Sequence, residues 1–181
     1  MTRLPKIAQF AIMLAFACLM AGIYGVILHQ VSYTLGPEYF HNYKFVQFQV
    51  DMETPPRLGA AITGWKASWW MGLVIGVPLL ALALLARDAA AYGKLCRVGF
   101  LTVIVTTIIA GVATMVVTFA VLTPDNLPPR FTGQGDADWL GFARAGFLLE
   151  ASFLGALLGL ALAAVRMVLS LIRARRTQRS A

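Results

Sequence analysis

The chain has 181 residues, 59% of them hydrophobic and only 13% charged, with a formal net charge of +7. A soluble domain carries roughly 45 to 50% apolar and about 25% charged residues, so this composition excludes an ordinary water-soluble fold and calls for lipid. The positive charge does not indicate nucleic acid, because most of the cations border apolar runs, where anionic lipid headgroups are the nearer partner.

Crossing a hydrocarbon core of about 30 Å takes roughly 20 apolar residues in a helix, and four segments are long enough: residues 7–28, 67–86, 98–122 and 140–172. Spanning strands would be about half that length and alternate in polarity. The expected fold class is therefore all-α: a single membrane domain over residues 1–181, built as a four-helix bundle with outer loops at 29–58 and 123–139.

In the first span, Arg3 and Lys6 precede an apolar run containing Ala15-Phe16-Ala17, the outline of a cleavable signal peptide. The run continues through Leu19, Met20, Ile23, Val26, Ile27 and Leu28, long enough to span and stay uncut. Ala17, Ala21 and Gly25 form a seam of small residues on which another helix can pack closely. Cys18 here and Cys96 before the third span suggest no disulfide framework.

The first outer loop is dense in aromatics: Tyr33, Tyr39, Phe40, Tyr43, Phe45 and Phe48. After Gly36, Pro37 suits the first helical position and Glu38 the positive end of the helix dipole. Tyr39, Tyr43, Val46 and Val50 then recur at helical spacing. This predicts a short amphipathic helix lying on the membrane or capping the bundle; a strand over residues 44–50 fits less well. Glu38 and His41 have the i, i+3 spacing by which helices present a carboxylate and an imidazole to a metal. With His29, and Glu53 as an optional further ligand, they have the chemistry of a zinc or iron site, against which stands the plainer reading of interfacial histidines bonded to nearby backbone or carboxylates. No metal or cofactor is assigned from the sequence.

In the second span, Lys66 is expected at the outer boundary beside the aromatic belt Trp65, Trp69 and Trp70. Gly72 and Gly76 make a seam, and Pro78 predicts a kink. Thr107, Gly111, Thr114 and Thr118 share a face of the third span, a mildly polar stripe whose hydroxyls can bond their own helix carbonyls or a neighbouring helix, so packing is expected and a pore lining is not required. The fourth span carries Ser152, Gly155, Gly159 and Ala163 as a seam. Its length lets Arg144 and Arg166 approach opposite interfaces. Glu150 is expected just beneath the outer surface, paired with Lys66 or solvated in the outer mouth.

Charge sets the orientation. Arg3, Lys6, Arg87, Lys94, Arg97, Arg173, Arg175, Arg176 and Arg179 share one face; Lys44, Arg57 and Arg130 are diluted on the other by Glu38, Asp51, Glu53, Asp125, Asp136 and Asp138. The basic face is cytoplasmic by the positive-inside rule, so both termini are expected inside, with the arginine-rich tail as an anchor on anionic lipid.

His29, Tyr33-Thr34, Pro37-Glu38-Tyr39-Phe40, Lys44-Phe45, Arg57-Leu58-Gly59-Ala60-Ala61 and Trp69-Trp70 resemble the pattern of an uncharacterised family of bacterial four-span membrane proteins. The resemblance covers about a quarter of the chain. It implies a bacterial inner-membrane location and brings no activity with it. His29, Glu38 and Arg57 match the pattern, and His41 falls outside it. Together with Lys66 and Glu150 at the heads of two helices, these three make the candidate site, a polar cluster at the outer mouth: His29, Glu38, Arg57, Lys66 and Glu150. Two functions fit. One is a non-catalytic subunit, binding a membrane-protein partner or a second copy, or passing a small solute. The other is a membrane enzyme with a metal at the outer mouth.

Overall fold

A computed structural model describes residues 4–51, 53–133 and 137–179, with side chains as far as residue 174. Arg3, Asp136 and the side chains of Arg175, Arg176 and Arg179, which enter the charge asymmetry, lie outside the described residues. The described chain is helical, with no strand. Its elements are α1 (Lys6–Leu35), α2 (Pro37–Tyr39), a π-turn (Phe40–Lys44), α3 (Phe45–Gln47), α4 (Pro56–Ser68), α5 (Met71–Ala83), α6 (Ala89–Val121) and α7 (Trp139–Arg179), with 3-10 turns at Pro124–Asn126 and Pro129–Phe131.

Four stretches are long and apolar enough to cross a membrane: α1, the joined α4 and α5, α6, and α7 as far as Ala174. In the most apolar window of α1 only 11% is buried by the rest of the chain. Ile108, Val116, Leu158 and Val165 likewise face outward from α6 and α7. Such flanks would cost about 25 cal/mol for each Å² held in water.

The helices run past the apolar spans because their ends are set by backbone chemistry. α1 continues beyond Leu28 to Leu35 and stops where Gly36, at φ −158°, leaves the helix and donates its N–H to Ser32 O at 3.1 Å. α4 begins at Pro56, well before residue 67, so Arg57 and Lys66 both stand on helix. The second long apolar stretch is interrupted at Trp69-Trp70, where Gly72 N bonds Trp69 O at 3.1 Å and Leu73 N bonds Trp70 O at 3.0 Å, a local 3-10 tightening. Pro78 lies inside α5. At the opposite end Lys6 Nζ donates to the carbonyls of Leu84 and Ala86, which lack helical donors. Asp88 caps α6 by accepting from Ala90 N at 2.8 Å and Ala91 N at 2.9 Å.

α1 packs most closely on α4 and α5, and α6 on α7. The contacts use the small residues. A Cβ placed on Gly25 would stand 2.4 Å from Gly64 O, and one on Gly72 would stand 2.4 Å from Cys18 Cα. On α7, a Cβ at Gly155 would meet Ala110 Cβ at 2.5 Å, and one at Gly159 would meet Val103 Cα at 2.8 Å. On the α6 stripe two threonines bond their own helix: Thr107 donates to Val103 O at 2.8 Å and Thr118 to Met115 O at 3.1 Å.

Two buried clusters fill the bundle. One, with Leu79, Leu80, Tyr92, Cys96 and Met167, lies toward the basic end, where α1 starts, α5 meets α6, and α7 finishes. The other, with Tyr39, Phe40, Phe45, Phe131, Phe142 and Leu149, fills the loop end.

Candidate functional site at the loop end

The loop end is closed by the helical segment from Pro37 to Gln47. Its middle is a π-turn in which Phe45 N–H bonds Phe40 O. That i to i+5 bond widens the turn by one residue and moves the inward face. Tyr39, Phe40 and Phe45 are buried at 5%, 0% and 7% exposure, whereas Tyr43 and Val46 point outward at 46% and 69%. Of the expected stripe Tyr39, Tyr43, Val46 and Val50, the two ends therefore pack inward, Val50 against the same cluster, and the two middle members do not. The buried rings meet edge to face, Tyr39 with Phe142 at 4.9 Å and Phe40 with Tyr33 at 5.3 Å between centroids.

His29 lies on α1, not in a loop, and is fully buried. Its place follows from the seam Gly22, Gly25, His29, Ser32, the face of α1 that is buried. Nδ1 is 2.9 Å from Gly25 O, which requires the Nδ1–H tautomer. Nε2 then carries a lone pair, buried and without a hydrogen-bond partner among the described residues. The ring stands edge-on to Phe40 at 5.7 Å.

Arg57, in the first turn of α4, latches that helix to α1. Nη1 donates to Gln30 O at 3.1 Å and Thr34 Oγ1 at 3.0 Å, and Gln30 Nε2 donates back to Arg57 O at 2.9 Å. Its guanidinium lies 4.9 Å from the Tyr33 ring centre. Lys66 is exposed and donates to Phe48 O at 3.3 Å. Glu38 is half-buried and makes no hydrogen bond or ion pair among the described residues.

Glu150 is bound by Arg130 at 2.8 Å, not by Lys66. The arginine comes from the second loop, where the turn Pro129–Phe131 and the Phe131 and Phe147 rings, 4.5 and 5.3 Å from its guanidinium, hold it. Lys44 is a further member that sequence reasoning missed. Its ammonium sits 5.8, 5.2 and 5.6 Å from the centres of Tyr39, Tyr43 and Phe48 and donates to Gln47 Oε1 at 3.0 Å. Burial pushes its pKa below the ordinary lysine value, and Glu150 pulls it back up. Burial also raises the Tyr39 phenol, with the Tyr43 and Glu150 charges adding to the shift and Arg130 opposing it. A lysine flanked by aromatics was the available signal.

The five expected residues therefore make separate contacts: His29 to its own helix, Arg57 across to α1, Lys66 to the cap, Glu150 to the second loop, and Glu38 to none of them. His41 is exposed, its Nε2 3.1 Å from the Tyr33 hydroxyl. No group of three His, Cys, Asp or Glu residues among those described could hold a metal ion. No protein family, characterised protein or solved structure matches this chain.

Proposed function

We propose that this chain is a four-span integral protein of a bacterial inner membrane, with both termini cytoplasmic, serving as a non-catalytic subunit that binds a membrane-protein partner or a second copy of itself. The observation that carries the reading is the pairing of apolar outward flanks with an interior filled at both ends. The flanks need lipid or another apolar helix, as the 11% burial of the α1 window illustrates. The interior is occupied by aliphatic and aromatic clusters, and on the α6 stripe Thr107 and Thr118 spend their hydroxyl protons on their own helix's carbonyls. This favours a binding subunit over a pathway for a polar small solute, which needs polar groups along its lining.

Alkaline carbonate extraction followed by cross-linking in intact membranes tests the proposal. Retention in the membrane pellet, with a discrete cross-linked species, is expected. Release into the carbonate supernatant overturns the membrane reading, and a lone monomer under every cross-linker overturns the subunit reading. The alternative, a metal enzyme, has the His29 Nε2 lone pair in its favour. A stoichiometric transition metal in purified protein that disappears in His29→Ala is the result that would establish it.

A further inference from the structure

A cavity of about 240 Å³ lies at the waist of the bundle, where α1, α5, α6 and α7 converge. α1 and α6 barely touch, and Phe16 and Met20 on α1 face Ile104 on α6 around the cavity with 60%, 41% and 49% of their surfaces exposed. The cavity thus opens sideways, toward the apolar surroundings of the bundle. No charged residue lines it. Its inner wall carries hydroxyls: Tyr24 from α1, Thr107 from α6, Ser152 from α7, and Ser68 at the end of α4.

Those hydroxyls differ in what they can offer. Thr107 has committed its proton to Val103 O at 2.8 Å. Tyr24 donates to Ser152 Oγ at 3.3 Å, well beyond the 2.7 to 2.8 Å typical of an O–H···O bond. A donor held so loosely, against a cavity, exchanges readily for a better acceptor. Hydrocarbon tails contain no acceptor at this depth, so lipid chains alone offer the Tyr24 proton nothing better than its long bond to Ser152.

We propose that this cavity binds one uncharged, lipid-soluble carbonyl compound, of the long-chain ketone, ester or quinone class. Such a molecule enters sideways between α1 and α6, and its carbonyl accepts from Tyr24 and Ser152. The proposal rests on the membrane reading above, because the entrance faces the bilayer only if the helices span it. The absence of charge selects a neutral ligand. The small volume selects a slender one, and the hydroxyl pair selects a carbonyl over a plain alkyl chain.

The test uses the full-length protein in lipid nanodiscs with two photoreactive probes: a diazirine-bearing long-chain methyl ketone and the matched alkane. The ketone should label wild type saturably and in preference to the alkane, on peptides containing Phe16 to Met20 or Phe100 to Ile104. Tyr24→Phe should cut ketone labelling about five- to tenfold, the loss of one neutral hydrogen bond, while leaving alkane labelling unchanged. Ala21→Leu, which fills the cavity from its wall, should reduce both probes; Tyr24→Phe decides the matter if the filled variant does not fold. Equal labelling of wild type by ketone and alkane means ordinary lipid chains occupy the cavity and overturns the proposal, as does a Tyr24→Phe variant that labels like wild type. Failure of the membrane reading is seen separately, as release of the protein by alkaline carbonate.

Discussion

Gly155 and Gly159 let α7 approach α6 closely enough that a Cβ at Gly155 would lie 2.5 Å from Ala110 Cβ and one at Gly159 would lie 2.8 Å from Val103 Cα. Non-bonded carbons settle at about 3.5 to 4.0 Å, so Gly155→Leu has to force the helices apart by about 1 Å before the rest of the leucine is placed. Overpacking of this kind costs about 1 to 3 kcal/mol, and the rigid backbone beside Gly159 leaves little room for relaxation there. At about 2 to 4 °C per kcal/mol for a chain of this length, either leucine variant should lower the melting temperature in detergent by about 2 to 12 °C. Gly93→Ala is the control. It lies in α6 with its nearest neighbour, Gln9 Oε1, at 3.8 Å, so it should be neutral or slightly stabilising, as alanine favours the helix over glycine. Thermal unfolding by tryptophan fluorescence reads all three. Wild-type melting of both leucine variants, with α6 and α7 still cross-linkable between introduced cysteines, would refute the reasoning.

The π-turn makes a register prediction: Phe45→Ala should loosen the cap, with a cost of about 3 to 5 kcal/mol for a buried phenylalanine, whereas Val46→Ala, on the exposed side, should be nearly silent in proteolysis of the loop. Arg130 and Glu150 are 57% and 41% exposed, so a double-mutant cycle between them should give under about 1 kcal/mol; a larger coupling would mean that the pair is shielded. Because Glu150 raises the Lys44 pKa against the effect of burial, Glu150→Gln should lower it further. More of the Lys44 amine is then neutral at mildly alkaline pH, and acylation at pH 9, followed by mass spectrometry, should run faster than in wild type. A slower reaction would reverse the assigned sign. Asp88→Ala removes the acceptor for Ala90 N and Ala91 N and should cost about 1 kcal/mol, measurable as a lower denaturation midpoint.

The four long helices and their seams were legible because both are local properties: an apolar run has a length, and Gly155 and Gly159 stand one turn apart on one face. The helix ends were less legible. Hydropathy marks where the apolar run stops, near Leu28, whereas α1 persists through Gln30, Ser32, Tyr33 and Thr34 until Gly36 breaks it. That difference moved His29 from a loop onto a buried helix face. The π-turn left no trace in the residue pattern, since Phe40 and Phe45 are neighbours only after the extra residue is admitted. The partner of Glu150 depends on how the second loop folds back over α7. No spacing rule connects Arg130 to a carboxylate 20 residues on, and Lys66, on α4, is instead taken up by Phe48 O in the cap.

The membrane topology carries everything proposed for this chain, and substituted-cysteine labelling tests it most directly. Cys18 and Cys96 are first replaced by alanine, and single cysteines are then placed at Thr54, Ala90 and Thr132, all away from the glycine contacts, with a reporter fused after Ala181. In intact cells an impermeant thiol reagent should label positions 54 and 132 and spare position 90, and the reporter should be active only in the cytoplasm. Labelling of position 90, or protection of position 132 that is relieved only when the membrane is permeabilised, would contradict the four-span arrangement with both ends inside.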